Sequence, residues 1–350
     1  MSELFNLKSP EVVEYIKEIN AVRKVDNKRH LDLACDLFDM AQEQGDDLLK
    51  DFASCTLGDA SCQNNDFSQA LYYLSAGIDG LSQTEEHMLV CQSYNEMGTI
   101  FRSEGHFITS EECYLTGISR ARKYKLYFME GMICSNFAAL CEQMGGMVES
   151  LEYHYRAVEC CGYIEDPYIK NTFLIGEYSL IAKQFVELEK FEEARETLRD
   201  MEMLIRLYPE FDSAFDVCIA RFYYYHDAGD RKKSDESKIA CIQAFYQCND
   251  FVRHFDEIVG LVSLLLEDKD YVELEKIFER IDGVDDYEDI MNLRLHMETF
   301  KIKMYREIGD FEKMKDSAYN YFLFDSIKAE EGRHSFITTL NLRSQIQLKE

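Results

Sequence analysis

The sequence predicts an all-α chain, a right-handed α-solenoid of about eight helix-turn-helix units with a C-terminal helix, and three observations carry that prediction. The first is a period: Phe67, Phe107 and Met147 stand forty residues apart, and so do Phe191, Arg231, Tyr271 and Phe311. Each follows a short polar or glycine-containing turn, such as Glu104-Gly105-His106 or Gly309-Asp310, and opens a helix-like segment. A unit of this length buries its apolar face only by stacking on its neighbours. The second is the scarcity of breakers, since only Pro10, Pro167 and Pro209 interrupt 350 residues. The third is an apolar content of 46%, enough to supply every unit with a share of core. We expect one body over residues 1–325 and a capping or signalling helix over 326–350.

Small residues recur at fixed places within each unit. The first unit, with its recognisable turn at Leu31, ends in Ala34-x3-Phe38-x2-Ala41. The second gives Leu57-Gly58 and then Ala70-x3-Leu74-x2-Gly77. The third reads Tyr94-x2-Met97-Gly98-x2-Phe101, Gly105, Ser110-x3-Tyr114-x2-Gly117; the fourth continues with Phe137-Ala138 and Ser150-x3-His154-x2-Ala157. The fifth carries Tyr178-x2-Ile181-Ala182-x2-Phe185 and Ala194-x3-Leu198-x2-Met201. Spacings of three and four put these residues on one helical face, where a small side chain lets two helices approach and a bulky one fills the remaining gap. The sixth to eighth units keep the period and lose the small residues. Between the fourth and fifth the spacing stretches to 44, and Pro167 falls there, which predicts a longer loop.

HEAT and armadillo arrays share a period near ~40 residues. The small-x3-aromatic-x2-small pattern is instead that of tetratricopeptide repeats, which the chain resembles over nearly its whole length.

A formal net charge of -28 repels a phosphate backbone and argues against nucleic acid as a partner. The longest apolar run, Ile258 to Leu266, is far short of the ~20 residues that span a bilayer, so no membrane association is expected. Twelve cysteines at helical apolar positions, with no signal peptide in front, read as small buried hydrophobes in a reducing cytoplasm.

No glycine-rich phosphate loop, His-Glu-x-x-His, Cys-x-x-Cys or Gly-x-Ser-x-Gly is present. Cys160, Cys161 and His154 lie on a predicted second helix whose apolar face needs them, and no histidine has a metal-ligand partner at helical spacing. We expect neither catalysis nor a metal nor a cofactor. What remains is the concave surface, lined by the first helix of each unit. The register places there Gln92, Asn95, Thr99 and Arg102 in the third unit, and Ser135, Ala139 and Glu142 in the fourth. Ser179 and Lys183 follow in the fifth, and Tyr223 and His226 in the sixth. Amides, hydroxyls and isolated charges suit an extended protein or peptide ligand, whose backbone they can grip.

After the last unit, Tyr319-Asn320-Tyr321-Phe322 leads into Lys328-Ala329-Glu330-Glu331 and a helical stretch with Leu342-Arg343-x2-Ile346-x-Leu348-Lys349-Glu350. With the forty-residue units, this ending resembles the regulatory N-terminal arrays of bacterial GGDEF diguanylate cyclases. The resemblance implies a cytoplasmic module that senses a partner, self-associates as a homodimer and controls a cyclase domain, although the Gly-Gly-Asp-Glu-Phe motif itself is not in this sequence. Two alternatives use the same groove: a Gram-positive peptide-pheromone receptor and a standalone adaptor or co-chaperone. The few residues before Leu31 lack the basic face of a DNA-reading helix-turn-helix.

Overall fold

Aspartates set the first helices. Asp26, Asp46 and Asp66 stand twenty residues apart, and each side chain accepts a hydrogen bond from the backbone N–H three residues on, at Arg29, Leu49 and Gln69. That cap satisfies one of the donors a helix start leaves open. The structure, a computed structural model, describes residues 9–23, 25–64, 66–251, 254–284 and 290–327. Among the described residues the regular elements are all helical, and they fall into two compact units that divide between Glu165 and Asp166.

Unit 1 holds four hairpins: α1 (Pro10–Val22) with α2 (Asn27–Gln44), α3 (Asp47–Gln63) with α4 (Phe67–Leu81), α5 (His87–Ser103) with α6 (Phe107–Lys123), and α7 (Tyr127–Gln143) with α8 (Met147–Cys161). Each first helix from α3 to α7 also touches the next first helix, α3 on α5 and α5 on α7. Unit 2 continues with α9 (Pro167–Glu187) and α10 (Phe191–Leu207), a 3-10 turn at Pro209–Phe211, α11 (Phe215–Asp227) and α12 (Arg231–Gln247). It ends with α13 (Phe255–Glu267), α14 (Tyr271–Asp282), α15 (Met291–Ile308) and a helical segment at 311–327. The forty-residue markers from Phe67 to Phe311 open the second helix of their hairpins. Residues 328–350, which carry the expected end of the C-terminal helix and most of the cyclase-like ending, lie outside the described residues.

The turns explain the period. Gly105 takes φ +80°; its N–H donates to the Arg102 carbonyl at 3.1 Å while the His106 N–H reaches back to Phe101 at 2.8 Å. This closes the carbonyls that the helix end leaves open. The geometry recurs at Gly145, and also at Lys125, Glu189 and Lys269, where a non-glycine residue holds φ near +57° to +60°.

Close approach across the hairpin is visible at Gly98. A Cβ there would sit 2.6 Å from Tyr114, whose side chain is fully buried, and the Ser110 hydroxyl donates to the Gly98 carbonyl at 2.7 Å. The connection before the fifth unit, 162–166, is two residues longer than 124–126 and equal in length to 82–86, and the rest of the insertion is helix. Pro167 opens α9 as its first residue behind the cap Asp166, and the inserted residues extend α9 to 21, against 17 in α5 and α7. Proline is compatible with the first helical position, where its missing N–H is needed by no partner, so the insertion became an extra turn of helix. Later hairpins trade the other way: α11 and α13 shorten to 13 residues and longer connections precede them.

The twelve cysteines form no disulfide, and eight are buried. Burial pushes the Cys55 and Cys91 thiols up to about 12, which keeps them protonated. Cys35 departs from the expectation: it is exposed, on the outer face of α2.

Candidate functional site

In unit 1 the first helices α3 and α5 bring a connected polar network together, and its centre is a residue the repeat pattern did not indicate. Arg23, just beyond the end of α1, reaches Asp59 on α3 with both Nε (2.6 Å) and Nη2 (3.0 Å). Its guanidinium also donates to Gln92 Oε1 at 3.1 Å and Glu96 Oε1 at 3.3 Å on α5. Gln92 in turn donates to Glu96 at 2.9 Å, and Gln63 donates to Asp59 at 3.1 Å. His30, fully buried, meets Gln63 through Nδ1 at 3.2 Å and lies with Nε2 3.8 Å from Asp59.

The electrostatics split the two carboxyl groups. Burial, then the adjacent Asp59 charge, pushes Glu96 well above the usual carboxylate range. At Asp59 burial acts in the same sense, but a hydrogen bond from Glu96 and the Arg23 charge outweigh it and hold the group below its ordinary value. The pair therefore carries one proton on Glu96 and one negative charge on Asp59, facing one guanidinium. Burial also lowers His30, leaving it neutral.

The expected groove residues are placed unevenly. Gln92 belongs to the network. Asn95 is buried, not exposed, and accepts a hydrogen bond from Asn136 of α7 at 2.8 Å. Thr99 donates to the Asn95 carbonyl and contacts the Tyr114 hydroxyl at 3.1 Å, and Arg102 also hydrogen-bonds Tyr114. Ser135, Ala139 and Glu142 lie half-buried on α7. In unit 2, Ser179 is buried with its hydroxyl on Met201 of α10 at 3.3 Å, again contrary to the exposed position expected. Lys183 sits 6.0 Å from the Tyr223 ring, and His226 lies between Asp227 (2.8 Å) and Asp268 (3.3 Å).

The reason for the two corrections is helical geometry. Asn95 and Ser179 stand three residues before the small residues Gly98 and Ala182, so they share the face that packs on neighbouring helices. Asp59, Gln63, Glu96 and Asn136 were missed. Asp59 stands forty residues before Thr99, so the register itself could have indicated it, whereas Asn136 stands forty residues after Glu96 and was missed with it. Nothing in the repeat pattern points to Arg23, because it belongs to a turn.

Among the described residues no group of three His, Cys, Asp or Glu side chains is placed to hold a metal ion. No described helix is long and apolar enough to cross a membrane.

The fold is that of tetratricopeptide-like helical-repeat proteins. A Rap protein complexed with competence and sporulation factor aligns over 94% of this chain and 90% of its own, with a TM-score of 0.60 and 13% identity. The apo quorum sensor NprR from B. thuringiensis aligns over 92% and 90%, with a TM-score of 0.59 and 12% identity. A signal-transduction ATPase with a tetratricopeptide repeat sensor, from Pyrococcus horikoshii, aligns over 95% of this chain and 50% of its own, with a TM-score of 0.57 and 12% identity. No family model and no curated protein sequence matches the chain.

Proposed function

We propose that the chain is a non-catalytic, tetratricopeptide-like receptor that holds an extended protein or peptide segment along the first helices of unit 1. The observation that carries this reading is the row of amide, carboxyl and hydroxyl groups on three successive first helices, Asp59 and Gln63 on α3, Gln92 and Glu96 on α5, and Ser135 and Asn136 on α7. Such groups bind a peptide backbone with little dependence on its side chains.

In this reading the module belongs to a bacterial signalling protein. Regulation of a diguanylate cyclase through the segment after residue 325 is the form suggested by the sequence ending, and its test is the reading frame beyond the Glu350 codon: a GGDEF domain there supports it and a stop codon rejects it. A peptide-responsive regulator of the pheromone-receptor kind is the second reading, supported by fold similarity to the Rap protein and to the quorum sensor NprR.

The binding reading is tested by selecting ligands from a phage-displayed library of random decapeptides and measuring their affinity by calorimetry. Asn136→Ala is expected to weaken a selected peptide at least tenfold. Failure to select any peptide, or selected peptides indifferent to both Asn136→Ala and Ser135→Trp, would reject the site.

A further inference from the structure

In a chain with 28 excess negative charges, residues 113–129 contain Arg120, Arg122, Lys123 and Lys125 and no Asp or Glu. Arg122 is engaged by the buried carboxylate of Glu130 at 3.1 Å. Arg120 and Lys123 stand three apart on α6 and line one pocket of about 470 Å³ together with Thr116, Ser119, Tyr94 and Tyr124.

The pocket is open to solvent, with Thr116, Ser119 and Lys123 exposed, and Arg120 and Tyr124 are held in place by their neighbours. Arg120 Nη2 donates to the Ser82 carbonyl at 3.0 Å and contacts His87 Nδ1 at 2.9 Å. The His87 ring stacks on Tyr124 with centroids 3.3 Å apart, and the Arg120 and Lys123 cations lie 5.5 and 5.0 Å from the same Tyr124 ring. Arg120 Nε is buried with no hydrogen-bond partner. Neither cation has a carboxylate within ion-pair distance among the described residues. The contact with Arg120 requires His87 Nδ1 to accept, and burial together with the Arg120 and Lys123 charges lowers the His87 pKa, against a smaller opposing pull from Glu85 and Glu86 at the start of α5. Asp79 of α4 is the acidic group acting on Tyr94.

We propose that this pocket is a binding site for a phosphate monoester, independent of the peptide face on the first helices. One guanidinium suffices for a carboxylate. Thr116 donates its hydroxyl proton to the Glu112 carbonyl at 2.7 Å, which leaves two cations, an unpaired guanidinium N–H and the Ser119 hydroxyl to match a dianion with three terminal oxygens. The Tyr94 and Tyr124 rings supply a wall for the organic group that the ester carries, which inorganic phosphate lacks.

The test is calorimetric titration of the full chain with phenyl phosphate, AMP, an acetylated Ala-phosphotyrosine-Ala peptide, inorganic phosphate and benzoate. Phenyl phosphate is expected to bind at least tenfold tighter than inorganic phosphate or benzoate. A preference for AMP would identify a nucleotide as the source of the ester, and a preference for the peptide would identify a phosphorylated side chain. Arg120→Gln and Lys123→Gln should each weaken binding at least tenfold. Lys123 is exposed, so its variant decides the matter if Arg120→Gln fails to fold. Bound dianion should also raise the His87 pKa, read from its imidazole proton shifts. Absence of saturable binding, equal affinity for benzoate, or indifference to Lys123→Gln would overturn the proposal.

Discussion

In the hairpin α5–α6 the first-helix glycine, Gly98, lies against its own partner helix, with Tyr114 filling the space a Cβ would need. In α13 the glycine, Gly260, lies instead against Tyr223 of the preceding first helix α11, 3.1 Å from a Cβ position. Around it Leu261, Leu265, Leu274, Ile277 and Phe278 join one large buried cluster that runs from Phe215 to Met304. The hairpin α5–α6 of unit 1 therefore sets its spacing by a small residue, and the later hairpins of unit 2, from α11 on, by the volume of branched and aromatic side chains. The same division appears on the first-helix faces. That of unit 1 is tied by Arg23 across α3 and α5, whereas in unit 2 Lys183, Tyr223 and His226 make separate, half-exposed contacts. A forty-residue period thus fixes where helices begin without fixing what holds them.

The largest break in this comparison is expected from Arg23→Ala. It leaves Asp59 buried without its cation and should cost about 2–4 kcal/mol, below the full value for a buried pair because Arg23 is 26% exposed. Urea unfolding measures it, and a loss under about 1 kcal/mol would show that the network does not tie the unit. The same network predicts a pH signature. A carboxyl raised in the folded state contributes stability that is present below its unfolded value and lost as pH climbs through the folded one, so wild type should weaken from Glu96 upward of the ordinary carboxylate range. Glu96→Gln, which keeps a neutral donor toward Asp59, should flatten that slope.

Gly98→Leu comes next, with an expected loss of about 1–3 kcal/mol or more from overpacking against Tyr114. Gly260→Ala in unit 2 should be neutral or stabilising by up to about 1 kcal/mol, since a helical alanine is favoured and Tyr223 can yield by a few tenths of an ångström. Equal losses from both would erase the distinction between the units. The smallest effect concerns the turns. Lys269 holds φ +60°, so Lys269→Gly should gain about 0.5–1 kcal/mol, while Gly309→Ala at φ +77° should lose a similar amount. Thermal melts resolve both signs.

Hairpin order, the turns from Asp66 onward and the burial of Gly58, Gly98, Ala138 and Ala182 were legible because they depend on residues three, four and forty apart, whereas the first turn, expected at Leu31, lies before Asn27, and Leu31 is inside α2. The groove was legible only in part. Gln92 was expected on that surface and lies in the Arg23 network, while Asn95 and Ser179 were expected to be exposed and are buried, because a polar residue on a helix reads as exposed until its neighbour is known. Pro167 read as a loop, since its local preference for a helix start is satisfied only when Asp166 is positioned to cap it.

The sequence by itself determined the class of fold: periodic apolar and small residues leave stacked helical hairpins as the arrangement that buries them. Tertiary structure alone decided that Arg23 lies over Asp59, Gln92 and Glu96, that Glu96 keeps its proton, and that Arg120 reaches Ser82 and His87. The physical reason is range. Helix formation and face assignment are set within a few residues of chain, but charge pairing and proton affinity depend on distances of a few ångströms between groups thirty to seventy residues apart.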